Sequence, residues 1–296
     1  MIEPQSLRVD KRRVRRAFEQ SAASYDDVAA LQQEVARRML ERLDLIRIQP
    51  ATILDLGSGT GQVTRALLRR YRGSRVIALD LALAMVYKAR AAKRWSRRPL
   101  AVCGDAESLP LADACVDMIC SSLTLHWCND LDGVLHELRR VLAPGGLLLL
   151  TTLGPDTLRE LRASWAKADS EVHVSSFIDM HDIGDALVRA GFADPVVDME
   201  MMFLTYPDLR QLMRELKLLG AHNSTYGRPR GLTGKERLHQ VLRAYENFRT
   251  PEGVLPASFE IIYGHTWKAQ EAQSTRVAET TGSEVRIPLA RLLRRT

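Results

Sequence analysis

The chain lacks the features that mark several large classes of protein. None of its apolar runs approaches the ~20 residues that a membrane-spanning helix requires. Its opening residues are polar and basic, without the apolar stretch of a secretory signal, which points to the cytoplasm. Cysteine is scarce. The residues present, Cys103, Cys115, Cys120 and Cys128, have spacings that match no zinc pattern, and no histidine pair completes one. No metal is therefore expected, and the thiols read as reduced and mostly buried. Aromatic residues make up only 6% of the chain and few stand beside its basic runs, which argues against a nucleic-acid surface. Internal repeats and a clean interdomain linker are also missing.

What is present suffices for a sizeable core. At 296 residues, with 46% hydrophobic and 26% charged, the chain suits one large domain, or one domain with an inserted lid. Its net charge of +6 is unevenly placed. Lys11, Arg12, Arg13, Arg15 and Arg16 cluster near the start, and Arg291, Arg294 and Arg295 near the end. Further groups stand at Arg69, Arg70 and Arg72 and at Lys93, Arg94, Arg97 and Arg98. Such runs are commonly solvated helix faces. The functional alternative is an acidic partner.

Strands and helices alternate, which implies an α/β fold. The pattern predicts strands over 51–56, 75–80, 100–103, 116–121, 147–152, 196–204 and 259–267. Helices are predicted over 15–25, 28–45, 63–71, 84–93, 131–142, 156–167, 180–190, 207–219 and 234–248. The fully apolar run 147–152 reads as a buried central strand. The expected architecture is a Rossmann-like, seven-stranded, mostly parallel sheet with helices on both faces. N-terminal helices occupy about 10–45, and the helices at about 205–250 read as a lid inserted between the sixth and seventh strands. This domain spans 1–268, and 269–296 reads as a polar, flexible basic tail.

The segment Ile53-Leu-Asp-Leu-Gly-Ser-Gly-Thr-Gly61 carries the most information. Apolar residues lead to Asp55, then to Gly57, Gly59 and Gly61, then to a helix. Glycines at a strand end let the backbone adopt positive φ and approach a ligand closely. The spacing G-x-G-x-G differs from the dinucleotide fingerprint. A carboxylate at Asp55 would repel a pyrophosphate but accept hydrogen bonds from an amino acid's ammonium group. That favours a phosphate-free nucleoside such as S-adenosylmethionine. The structural alternative is a turn with a helix-capping aspartate. Asp80 ends the next strand about 20 residues past Gly61, where a carboxylate commonly binds ribose hydroxyls. Met85 is placed either against the adenine or in the core. Asp105, after the third strand, is either an acceptor for the adenine amino group or a turn aspartate.

In order and spacing these segments resemble the class I S-adenosylmethionine methyltransferases, over 51–152, including Leu142-Ala-Pro-Gly-Gly-Leu147. The resemblance implies that Asp55 and Gly57 lie near the methionine end of the cofactor, that Asp80 holds the ribose, and that Asp105 with Ala106 holds the adenine. Ser58, Gly59, Gly61, Leu81, Met85 and Glu107 are further cofactor-binding candidates. Ser121 and Leu123 should line the methyl-donor pocket.

Other segments narrow the family: Arg16-Ala-Phe-Glu-Gln-Ser-Ala-Ala-Ser-Tyr-Asp26, Ser122-Leu-Thr-Leu-His-Trp127, Leu216-Lys-Leu-Leu-Gly-Ala-His-Asn223, Leu232-Thr-Gly-Lys235 and Leu255-Pro-Ala-Ser-Phe-Glu-Ile-Ile-Tyr-Gly-His265. Together they are similar to the malonyl-[acyl-carrier protein] O-methyltransferases of biotin synthesis, over most of 8–268. The resemblance implies methylation of the free carboxylate of a malonyl thioester, on acyl carrier protein or coenzyme A, which starts pimeloyl synthesis. A carboxylate with a pKa of about 4 is ionised at neutral pH and needs no general base, only alignment and exclusion of water. Tyr25, His126, Trp127 and Arg214 are the candidates for positioning the substrate, with Lys217, His222, Asn223 and Tyr226 from the lid. Arg12, Arg13 and the 93–98 cluster are candidates for docking an acidic carrier protein. Three alternatives remain at this point: a protein-arginine hydroxylase-like assembly factor on the same fold, another small-molecule methyltransferase, and a binding module with a degenerate pocket.

Overall fold

A computed structural model describes residues 8–91, 98–229, 231 and 233–270. Its strands are β1 (Thr52–Leu56), β2 (Arg75–Asp80), β3 (Leu100–Cys103), β4 (Val116–Ser122), β5 (Leu142–Leu153), β6 (Ala193–Tyr206) and β7 (Leu255–Trp267). They form one sheet in the order β3-β2-β1-β4-β5-β7-β6. All neighbours from β3 to β5 are parallel, and β7 runs antiparallel to both β5 and β6.

Period-two alternation along the strands gives the sheet two apolar faces. Ile53, Met118, Leu147 and Leu149 pack on one side with Met39 of α3 (Ala30–Glu41), Leu67 of α4 (Gln62–Arg70) and Trp165 of α7 (Arg159–Trp165). On the same side lie Leu212 of α9 (Leu209–Leu218) and Tyr245 of α10 (Lys235–Glu246). Leu54, Ile119, Leu148 and Leu150 pack on the other side with Leu135 of α6 (Leu131–Val141) and Leu187 of α8 (Met180–Arg189). The remaining helices are α1 (Lys11–Ser21), α2 (Tyr25–Val28) and α5 (Leu83–Arg90).

Four boundaries differ from the sequence expectation for identifiable reasons. The Asp10 side chain accepts from Arg12 N–H at 3.1 Å and Arg13 N–H at 3.3 Å, so α1 starts at Lys11, ahead of the apolar pattern. Ala29, at φ −87° and ψ 37°, separates α2 from α3, so the second predicted helix is broken near its start. Strands β5 and β7 begin earlier than expected, at Leu142 and Leu255, and run through Pro144 and Pro256. Both prolines lie outside the 147–153 to 261–267 ladder that joins these two strands, where a missing N–H costs little. Of the tail expected over 269–296, residues 271–296 lie outside the described residues.

Gly61 shows how tightly the helices sit. It caps α4 at φ +89°, and a Cβ there would stand 2.8 Å from Ala89 Cα on α5. Gly61→Ala should therefore push two helices apart and destabilise the fold by about 1–3 kcal/mol. A lower urea midpoint at unchanged slope would show it.

Candidate active site

The strand order reverses around β1, with β2 and β3 on one side and β4 and β5 on the other. Open parallel sheets bind ligands beyond the carboxyl ends of the strands at such a point. There the glycine turn is fixed to the end of β2. Gly57 and Ser58 N–H donate to Leu79 O at 2.8 and 2.9 Å. Gly59 N–H donates to Asp80 Oδ2, and Ala82 N–H to Asp80 Oδ1, both at 2.9 Å. Gly57 and Gly59 have φ of +70° and +52°. A Cβ on Gly57 would fall inside the Thr124 side chain, so only glycine permits this approach. Burial raises the pKa of Asp80, and its backbone N–H bonds oppose that rise.

Beyond these ends lies a cavity of about 90 Å³. A second cavity, of about 250 Å³, adjoins it, and Phe18, Tyr25, Leu123 and Trp127 line both. Phe18 meets Trp127 edge-on, with ring centroids 5.4 Å apart. Thr60 Oγ1 donates to Asp26 Oδ1 at 2.6 Å, which ties α2, and with it Tyr25, to the glycine turn. Burial, then the charges of Asp80 and Asp26, push the Tyr25 phenol upward, so it stays protonated. Leu123 takes the left-handed conformation, φ +51°, and its N–H donates to Thr151 O at 3.0 Å and Thr151 Oγ1 at 3.1 Å. Leu158, at φ +55°, lines the larger cavity. Such strain persists only where packing over-determines it, and it concentrates at functional sites.

The larger cavity is mostly apolar, with a few polar groups. His126 lies 5.0 Å from the Trp127 ring and 5.8 Å from that of Phe177. Its Nδ1 is buried without a hydrogen-bond partner, and burial pushes its pKa down to about 3. The imidazole is therefore neutral and a poor base. His222 Nδ1 and Gln32 Oε1 are likewise buried and unpartnered on this wall. Burial lowers the His222 pKa, and Arg13, Lys217 and Arg228 lower it further through their charge. Three cations thus stand near this part of the wall.

A family described as "Methyltransferase domain" matches residues 54–150. The malonyl-[acyl-carrier protein] O-methyltransferase of Methylovorus sp. is 53% identical over 268 residues, covering 88% of this chain and 90% of that protein. Its namesake in Halorhodospira halophila is 48% identical over 288 residues, covering 97% of each. The chain belongs to the malonyl-[acyl-carrier protein] O-methyltransferase family. S-adenosylmethionine is accordingly its cofactor. Solved structures agree at the level of fold. The YcgJ protein of Bacillus subtilis superposes with a TM-score of 0.54 at 18% identity, covering 80% of this chain and 99% of that one. The phosphoethanolamine N-methyltransferase 2 of Haemonchus contortus, in complex with S-adenosyl-L-methionine, gives 0.52 at 16% identity, covering 85% of this chain and 57% of that one.

Among the residues expected around the cofactor of this methyltransferase, Gly57, Gly59, Asp80, Leu81, Met85, Asp105, Ala106 and Leu123 stand on the wall of the smaller cavity. Five others do not. Asp55 is buried in β1 and accepts from Thr64 Oγ1 of α4, so its carboxylate is not presented to an ammonium group there. Ser58 serves through its backbone, and its hydroxyl is buried. Gly61 packs on α5. Glu107 lies behind the wall and accepts from Asn129 N–H at 2.5 Å. Ser121 is fully buried, and its neighbour Ser122, on the opposite strand face, lines the cavity instead. The sequence reading also missed Lys11 and Thr124 on this wall.

Around the larger cavity, Tyr25, His126, Trp127, Lys217, His222 and Asn223 are lining residues. Arg214 is not; it is exposed on α9, whose inward face carries Met213 and Leu216. Tyr226 is also exposed and off the wall. Asn223 acts as a tie: its Nδ2 donates to Val172 O at 2.5 Å, and its Oδ1 accepts from Thr225 N–H and Oγ1. His173 was missed. It stacks on Trp165 at 3.6 Å, with Nε2 2.8 Å from Asp169 Oδ1. It sits between helices without periodic pattern, so the sequence offered no signal. Of the docking candidates, Arg12 and Arg13 are exposed, and 92–97 lie outside the described residues. Cys103 is exposed, contrary to the expected burial. Among the described residues no three His, Cys, Asp or Glu side chains come together as a metal site, and no helix is long and apolar enough to cross a membrane.

Burial lifts the Asp55 pKa to about 7, with the Thr64 bond opposing it. The folded protein then holds a proton between about pH 4 and 7 that the unfolded chain has released. The contribution of this group to stability is present at pH 4 and is lost as pH rises through 7. Asp55→Asn should remove that loss, so urea midpoints of variant and parent should diverge in the variant's favour from pH 5 to 8. Parallel curves would refute the assignment.

Proposed function

We propose that this chain transfers the methyl group of S-adenosylmethionine to the free carboxylate of a malonyl thioester carried by acyl carrier protein. The observation that carries this reading is the wall of Phe18, Tyr25, Leu123 and Trp127, which joins the cavity at the strand ends, lined by Asp80 and Asp105, to the larger, mostly apolar one. Asp80 would hold the ribose hydroxyls, Asp105 and Ala106 the adenine, and Gly57 and Gly59 the methionine end. A carboxylate at Asp80 suits a nucleoside without a diphosphate. When bound, the cofactor supplies an electrophilic sulfonium methyl.

The titration state of the site selects the acceptor. An amine or hydroxyl must lose a proton during methylation, whereas a carboxylate with a pKa of about 4 has already lost it. Neutral His126 and the protonated Tyr25 phenol offer hydrogen bonds but no strong base. Phe18, Leu123 and Trp127 keep water from the junction, where it would weaken those bonds. The cations that depress His222 give the mouth a field that attracts an anionic thioester and an acidic carrier protein. Helix α9 and the segment after it act as a lid over the acceptor cavity. The methyl ester masks the malonyl charge, which lets chain-elongating enzymes extend it toward pimeloyl for biotin. The named relatives are methyltransferases, and an arginine hydroxylase is not favoured.

Incubation with malonyl-carrier protein and labelled S-adenosylmethionine should yield a base-labile methyl ester; its absence would overturn the reading. Asp80→Asn should weaken S-adenosylhomocysteine binding by roughly 10- to 100-fold, as expected for lost charge-assisted hydrogen bonds of about 1.5–3 kcal/mol. Calorimetry would measure it.

A further inference from the structure

Lys11 belongs to the basic N-terminal cluster, yet it turns inward. Its Nζ lies 2.8 Å from Asp105 Oδ1 and 3.2 Å from Glu107 Oε1, on the wall of the smaller cavity. Asp105 Oδ1 also accepts from Glu107 N–H at 3.0 Å. One carboxylate oxygen therefore has two donors. Its twin, Oδ2, makes no hydrogen bond among the described residues, although Asp105 faces the cavity. The clamp is itself anchored. Two residues before Lys11, Val9 N–H donates to Asn129 Oδ1 at 2.7 Å, and Asn129 Nδ2 donates back to Val9 O at 3.0 Å. Asn129 N–H donates to Glu107 Oε1. Lys11, Glu107, Asn129 and Val9 thus close a ring behind Asp105.

We propose that Lys11 is a positioning residue that fixes the orientation of the Asp105 carboxylate and so sets the selectivity of the cavity for a 6-amino over a 6-oxo purine. A carboxylate only accepts hydrogen bonds. Held by Oδ1, it presents Oδ2 to one place, where an exocyclic amine can donate to it. A 6-oxo purine puts a carbonyl oxygen there, and the two acceptors repel. Its ring N1–H is a donor, but a clamped carboxylate cannot swing across to reach it. A carboxylate released from Lys11 can, and the discrimination falls. The proposal rests on the reading that this cavity holds the adenosyl group with Asp105 facing the base.

The test compares calorimetric Kd values for S-adenosylhomocysteine and S-inosylhomocysteine on the full chain. The parent should prefer the adenosyl ligand by at least about 10-fold, the value of one good hydrogen bond of ~1.4 kcal/mol. Lys11→Met should shrink that ratio several-fold, and Lys11→Arg should restore most of it. A ratio unchanged in Lys11→Met while Asp105→Asn abolishes it would overturn the role of Lys11 alone. A ratio unchanged in both variants would overturn the placement of the base as well. A purely structural lysine would weaken both ligands equally, which also counts against the proposal. Should Lys11→Met not fold, Lys11→Ala, which also removes the donor, is read in the same way.

Discussion

The backbone bonds from Gly57 and Ser58 to the carbonyl of Leu79 are the constraint on which the site depends. They force the chain leaving β1 to lean over the end of β2 before it enters α4. That lean brings Gly59 N–H to Asp80 and Thr60 to Asp26, and it leaves space for a ligand above the strand ends. At Gly57 the positive φ and the nearness of Thr124 together require glycine. A short run of sequence therefore sets the location of a cavity whose walls come from five other segments.

The parallel half of the sheet was legible because its signals are local. Each of β1, β2 and β4 is an apolar run that ends in a turn residue, and the alternation of inward and outward side chains follows from the pleat. The cofactor cavity was legible for the same reason: Asp80 and Asp105 are the residues at which strands end or just after. The acceptor cavity was legible only in part, through Tyr25, His126, Trp127, Lys217, His222 and Asn223. His173, Trp165 and Gln32 come from separate helices and a loop, and nothing in their spacing relates them to Leu123 or Tyr25. Arg214 looked suitable by composition, but the helix turns it outward because Leu209 and Leu212 occupy the buried stripe.

Asp55 and Lys11 illustrate two opposite ways in which a charged residue misleads. Asp55 stands in the most informative motif of the chain, yet its carboxylate is enclosed by the sheet and by Thr64. Lys11 stands in what reads as a solvated basic run, yet it reaches the cavity wall. Charge in a sequence marks neither exposure nor contact with a ligand. The partner decides: a hydroxyl 9 residues along the chain for Asp55, and a carboxylate 94 residues away for Lys11.

The segment that carries Lys11 also pairs with the far side of the molecule. Val9 bridges to Thr225, Asp10 N–H donates to Ser224 O, and Tyr226 N–H donates to Arg8 O, so this strap meets the chain that follows α9. One short strip of peptide thus fastens the walls of both cavities, held largely by backbone hydrogen bonds and the Asn129 side chain. Segments of that kind open at a small fraction of the global unfolding free energy. Warming should therefore silence catalysis well before the sheet melts, with donor and acceptor sites lost together, and cooling should restore both.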